Sequence, residues 1–417
     1  MKTLNYNYFG IIALTTILFC FSCSQNQSLT VENSRQMVAG IKSALFIPDP
    51  LPNLDLNTHG SIEANNNVLI EKVTYSSQFG LRIPAVIYRP KDSMENMPGI
   101  VIINGHGGDK YAWYSFYAGM LYAQAGAVVV TFDPIGEGER HINRKSGTRA
   151  HDTRLEPREI AQRMGGLLIT DVMQAVSYLA HRKDIDSNRI VIMGYSLGSF
   201  LASIAGAVDP RIHACVLAGG GNIDGPDGYW DNSKPMCQGI PYQSLQFLGD
   251  RPASIYALHA QRGPTLLYNG LADSVVNMHE TGEAHLKNVR QRTIKLLGTS
   301  KDVFEARYEP DVSHRPFFIT KNVALWLEEK IDFPYWTKSS IDHMGETHIS
   351  EWAAKHHVEM DRLYATESRE GGVRALGTNI PGLSREKLTV FAPSQWEIEK
   401  DNLIYESWLE RVKDVIN

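Results

Sequence analysis

Apolar runs recur through the first four-fifths of the chain, and their pattern changes once. "NVLIEKVTY" (67–75) and "LRIPAVIYRP" (81–90) flank a glycine-containing turn and predict a β-hairpin. From "GIVIIN" (99–104) onward the runs lose alternation: "AVVVTF" (127–132), "RIVIMG" (189–194), "ACVLAG" (214–219) and "PTLLYNG" (264–270) are apolar throughout and separated by helix-length segments. A strand apolar at every position is buried on both faces, so this rhythm predicts a mostly parallel central sheet with helices on both faces. The rhythm stops near residue 335, which delimits an α/β unit over 37–335 and a mixed, partly helical C-terminal extension over 336–417. No internal repeat or low-complexity block interrupts it.

Two segments depart from the alternation. Residues 133–160 and "GNIDGPDGYWDNSKPMCQGIPYQ" (221–243) both begin where a strand ends, the edge where open α/β sheets place their ligands. They are expected to form the rim of a pocket. At the N-terminus, one lysine precedes an apolar stretch from Phe9 to Phe21, then Ser22, Cys23 and a polar tail. That run is short for a membrane span and has the n- and h-regions of a secretory signal. Residues 1–22 are accordingly expected to be a signal peptide and 23–36 a tether.

The sequence "VIMGYSLGSF" places Ser196 between Gly194 and Gly198, after an apolar strand and before the small-residue helical pattern "FLASIAGAV". Strand, G-x-S-x-G and helix in that order form a nucleophile elbow, a strained turn that exposes the serine Oγ. Ser199, the local rival, falls inside the helix. A serine hydroxyl needs a base, and two downstream strand ends supply candidates: "LLYNGLADSVV" carries Asp273 and "RYEPDVSHRPFF" carries His314. His314 would take and return the serine proton, with Asp273 orienting the imidazole. Asp311 is the alternative acid. His259 and His279 in helical contexts, and His285 on a polar face, are expected to be packing or surface residues. The loop "NGHGG" (104–108) ends the first strand of the parallel rhythm and can aim N–H groups inward, so the amides of Gly108 and Leu197 are expected to form the oxyanion hole. His106 is expected to be structural.

Together, "NGHGG", "GYSLG", "LADSVV" and "DVSHRP" resemble the α/β-hydrolase superfamily in order and spacing over roughly residues 65–333. More narrowly, the chain resembles secreted bacterial carbohydrate esterases of the acetyl xylan esterase-like kind, which carry a similar "DPIGEGER" after the second parallel strand, and α/β-hydrolase pectin methylesterases. The resemblance implies an α/β-hydrolase fold, serine esterase chemistry and no cofactor. A serine before Cys23 resembles the lipobox of bacterial lipoproteins, which implies cleavage there, acylation of Cys23 and a membrane contact through that lipid anchor only. Plain secretion, or acylation at Cys20, is the alternative.

Composition narrows the partners. Across 417 residues the net charge is −5, with 21% charged residues, which gives no overall drive toward nucleic acid. Cys215 and Cys237 alone would remain in the folded body, Cys215 as a buried thiol, so a disulfide framework is not expected. Locally, Arg140 to Arg163 holds seven cations (Arg140, Arg144, Lys145, Arg149, Arg154, Arg158, Arg163) against Asp152, Glu156 and Glu159. A solvated, salt-bridged surface would account for that run; a cationic rim for an acidic polymer is the functional alternative. Trp113, Tyr229 and Trp230 could be platforms for sugar rings. A polysaccharide or oligosaccharide ester is the expected substrate, with methyl-esterified galacturonate first and an O-acetylated glycan such as xylan second. A serine peptidase of the prolyl-oligopeptidase type shares the triad but is disfavoured because no propeller-length region precedes the catalytic unit. A glycan-binding lipoprotein without turnover would need no triad.

Overall fold

The computed structural model describes residues 29–65, 67–92, 94–152, 156–223, 236–299, 303–360 and 372–416. Nine strands form one sheet: β1 (Asn57–Asn65), β2 (Val68–Ser76), β3 (Arg82–Pro90), β4 (Met97–Ile103), β5 (Val128–Phe132), β6 (Ile185–Tyr195), β7 (Ala214–Ala218), β8 (Thr265–Gly270) and β9 (Glu305–Glu309). Their spatial order is β1-β2-β3-β5-β4-β6-β7-β8-β9. The first four neighbours pair antiparallel and everything from β5 to β9 is parallel. This is the expected mostly parallel sheet of an α/β fold. β1 is an additional edge strand; its sequence "NTHGSIEAN" has no apolar run because much of it faces water.

The unbroken apolar strands are explained by two cores. In β4, Val101 and Ile103 point to one face and Ile100 and Ile102 to the other; in β7, Cys215 and Leu217 oppose Ala214, Val216 and Ala218. The first face is covered by helices α1 (Val31–Ala44), α3 (Arg158–His181) and α4 (Leu197–Val208), together with the helices Arg251–Ala260 and Tyr405–Ile416. The second is covered by α2 (Trp113–Gln124), the helix Lys321–Ile331 and much of the C-terminal extension. α1 overlaps the expected tether: Thr30 caps it by accepting from the Asn33 N–H at 3.1 Å, and Ile41 is fully buried, so residues 31–36 are helical.

The extension is built onto the sheet rather than appended to it. Trp352 packs among Trp113, Phe116 and Tyr117 of α2. Its indole N–H donates to the Ile380 carbonyl at 2.7 Å, and a short antiparallel pair joins Glu346–His348 to Arg374–Leu376.

Candidate active site

Ser196 sits between β6 and α4 at φ 55° and ψ −116°, a conformation unusual for a residue with a side chain. The surrounding glycines are what allow it. A methyl group on Gly194 would lie 2.2 Å from the Gly198 carbonyl oxygen, and one on Gly198 would lie 2.2 Å from the Ile103 carbonyl oxygen. The strand and helix therefore approach to backbone contact, and the Ser196 side chain is left half-buried while its neighbours Tyr195 and Leu197 are buried. Ser199 is fully buried, and its hydroxyl is committed to the Gly194 and Ala218 carbonyls at 2.9 and 2.7 Å.

Asp273 and His314 meet beyond the ends of β8 and β9. Asp273 Oδ2 lies 2.7 Å from His314 Nδ1, both side chains being fully buried. The other carboxylate oxygen accepts the N–H groups of Val275 and Val276 at 2.8 and 3.2 Å, which fixes its direction. A carboxylate can only accept, so Nδ1 carries the imidazole proton and Nε2 is left with a lone pair. That Nε2 is buried without a hydrogen-bond partner among the described residues. Asp311, the alternative acid, is exposed. The imidazole and Ser196 share one support. A Cβ on Gly219 would lie 3.1 Å from the ring, one on Gly220 would lie 3.0 Å from the Ser196 carbonyl oxygen, and the Ser196 N–H donates to Ala218 at 2.9 Å. Tyr195 braces the histidine through its hydroxyl on the His314 carbonyl, at 3.2 Å.

The loop after β4 lies against Ser196: a Cβ on Gly105 would be 3.1 Å from the Ser196 Cβ. Gly108 does not play the part expected of it. Its N–H closes a turn onto the Gly105 carbonyl at 3.0 Å and is spent there, and the Tyr114 hydroxyl fills the space beside its Cα. Leu197 is the first residue of α4, and its amide has no acceptor within the helix. His106 stacks on His151 with ring centroids 5.8 Å apart. Among the described residues, no group of three or more His, Cys, Asp and Glu is placed to hold a metal ion.

The prolyl oligopeptidase family matches residues 113–334, over half of the chain, and that span contains Ser196, Asp273 and His314. The chain belongs to the prolyl oligopeptidase family. Within curated proteins it is 29% identical over 158 residues to Hydrolase ORFZ of Pyricularia oryzae, covering 36% of this chain and 32% of that protein. It is 25% identical over 166 residues to the hydrolase YtaP of Bacillus subtilis, covering 37% and 54% respectively. The chain thus spans about a third to a half of the length of these relatives. Among solved structures it is similar to Acetyl Xylan Esterase 1 from Thermoanaerobacterium sp. JW/SL YS485, at TM-score 0.51 and 17% identity over 73% of this chain and 100% of that one. It is likewise similar to Methylesterase BT1017, at TM-score 0.51 and 22% identity over 74% and 66%. These likenesses establish the α/β-hydrolase fold for this member of the prolyl oligopeptidase family.

The expected cationic rim is largely taken up within this family member. Arg140 is fully buried on Asp171 at 2.5 Å. Arg144 pairs with Glu139 at 3.1 Å and lies over the Trp396 ring, Arg149 pairs with Asp152, and Arg163 pairs with Glu159 at 2.6 Å. Arg158 donates to Gln243. Lys145 and Arg158 are the two of the described set that are exposed without an ion-pair partner among the described residues. The charges alternate closely enough along this segment to satisfy one another, and the bland alternative holds for most of it. Trp113 is 3% exposed and packs on Trp352, so at most its edge reaches the cavity beside it. Tyr229, Trp230, Arg154 and Cys23 lie outside the described residues. Sequence reasoning missed Gly219 and Tyr195 as supports of His314, and the contribution of the extension. The first had a signal in "LAGGG" (217–221), whose glycines follow a strand end on the ligand edge.

Proposed function

We propose that this chain is a serine carboxylic-ester hydrolase acting on an esterified glycan through an acyl-enzyme. The observation that carries the reading is His314. Its Nδ1 is held by a buried carboxylate, its Nε2 has no hydrogen-bond partner among the described residues, and Gly219 and Gly220 pack the ring and the strained Ser196 against one short loop. As Ser196 Oγ attacks the ester carbonyl carbon, His314 Nε2 takes the hydroxyl proton, and the resulting imidazolium is stabilised by Asp273. The oxyanion is received by the Leu197 N–H and by an amide of the loop that abuts Ser196 at Gly105, in place of Gly108. Collapse expels the alcohol, which leaves with the proton from His314. Water then repeats the sequence on the acyl-serine and releases the acid.

Methyl-esterified galacturonate is the favoured substrate and an O-acetylated glycan the second. The named activities of the two solved neighbours, an acetyl xylan esterase and a methylesterase, support an ester of either kind. Incubating the protein with methylated pectin and with acetylated xylan, and measuring methanol and acetate separately, separates the two. Faster methanol release supports the first; faster acetate release replaces it with the second. The Ser22-Cys23 junction supports a further proposal, export with acylation at Cys23. Mass spectrometry of protein from its native membrane should find the lipid on that residue, and an unmodified mature N-terminus elsewhere would contradict it.

A further inference from the structure

The C-terminal extension closes one side of a cavity of about 750 Å³, whose other wall is the His106–Asp109 loop and the start of α2. That volume lies within the range of about 300–1,000 Å³ typical of ligand sites. Because the loop at Gly105 abuts Ser196, a substrate whose carbonyl oxygen sits against the loop amides has this cavity as its neighbour.

Two cations of the extension line it, Arg385 and Lys387. The guanidinium of Arg385 is fixed in place by three contacts. It donates to the Ser146 hydroxyl at 2.8 Å and to the Arg144 carbonyl at 2.6 Å, and lies 3.7 Å over the Tyr111 ring. None of these is an anion, and no carboxylate pairs with Arg385 among the described residues. Lys387 is exposed, and its ammonium has no hydrogen bond or ion pair among the described residues. The acids at the cavity are Glu359, on the exposed rim, and Asp109. Asp109 is buried, with its oxygens taken by the Tyr111 N–H and the Ser146 hydroxyl. Asp109 reaches Arg385 only through the bridging Ser146 hydroxyl, and a preorganised guanidinium with no direct ion pair among the described residues, beside an unpaired ammonium, is the arrangement that recognises a carboxylate.

We propose that this cavity is a subsite for an unesterified uronate unit next to the ester-bearing one, its carboxylate held by Arg385 and Lys387. The proposal rests on the esterase reading of Ser196 and extends it: the preferred substrate is a partly de-esterified polyuronate, so reactions that expose free carboxylates create its best sites.

The test uses the full chain carrying Ser196→Ala, with unesterified trigalacturonate as probe and xylotriose as neutral comparator, both titrated calorimetrically. Trigalacturonate should bind at least tenfold more tightly than xylotriose. Lys387→Gln, which removes an ammonium with no hydrogen bond or ion pair among the described residues, should weaken trigalacturonate at least threefold, and Arg385→Gln with Lys387→Gln at least tenfold, with xylotriose binding unchanged. Equal affinity for the two probes, or trigalacturonate binding indifferent to Lys387→Gln, would overturn the subsite. Failure of the catalytic reading is distinguishable. If the unsubstituted protein does not hydrolyse a small chromogenic acetate while trigalacturonate binding still depends on Lys387, the subsite stands and the esterase does not.

Discussion

Around Ser196 the fold leaves no space for a methyl group at three glycines, and two of them meet backbone rather than movable side chains. Gly194→Ala and Gly198→Ala should each destabilise the protein by at least the roughly 1–3 kcal/mol typical of overpacking, read as a fall in Tm. A normal Tm with normal activity would mean that strand and helix do not approach as described. If Ser196, His314 and Asp273 act as one unit, Ser196→Ala and His314→Ala should each lower kcat by on the order of 10⁴-fold, with little further loss when combined. Asp273→Asn should cost less than either. These residues were legible because each follows a strand end in the sequence and carries chemistry that the position explains. Gly108 was not: which amide of a glycine loop is spent on a turn depends on the Gly105 carbonyl, and no residue type records that.

At the scale of elements, "DPIGEGER" was legible as a motif and illegible as a structure. It folds into a buried charge lattice. Lys110 Nζ contacts Asp133 and, at 2.8 Å, Glu139, with all three side chains fully buried. Burial works against the Lys110 ammonium, but Asp133 and Glu139 hold its pKa above the ordinary value. Burial likewise opposes the Glu139 carboxylate, and Lys110 with the Phe391 and Val390 amides holds its pKa below the ordinary value. Those amides, at 2.9 Å each, and the Trp396 indole N–H on the Glu139 carbonyl, also at 2.9 Å, dock the extension to the catalytic unit. The partners lie some 250 residues apart in sequence, so no local pattern could connect them. Glu139→Gln would leave a buried Lys110 undercompensated at a cost of about 3–5 kcal/mol. It should also release residues 384–404 to limited proteolysis ahead of the rest of the chain. Protection equal to the unsubstituted protein would show that the extension is held by other contacts.

For the whole molecule, the apolar rhythm foretold the parallel sheet because a buried strand must be apolar on both faces. The extension gave no such signal because its buried apolar residues, among those described, come singly or in runs of two or three between polar ones. Burial also shapes the response to acid. His151 and His259 are buried, and burial lowers their pKa to about 4 and about 3 from the usual 6.5. A lowered folded-state value gives stability that is present above pH 6.5 and lost as the pH falls towards 4, because the unfolded chain binds the protons first. Tm should therefore fall between pH 7 and pH 4.5, and less steeply in His259→Gln; identical slopes would contradict the assignment. The central claim, that Ser196 is the nucleophile of an ester hydrolase, is tested most directly by a fluorophosphonate probe followed by peptide mass spectrometry. A single adduct on Ser196 is expected, absent from His314→Ala on the same timescale. A protein that stays unlabelled while hydrolysing esters, or carries the adduct on Ser199 or another serine, would contradict it.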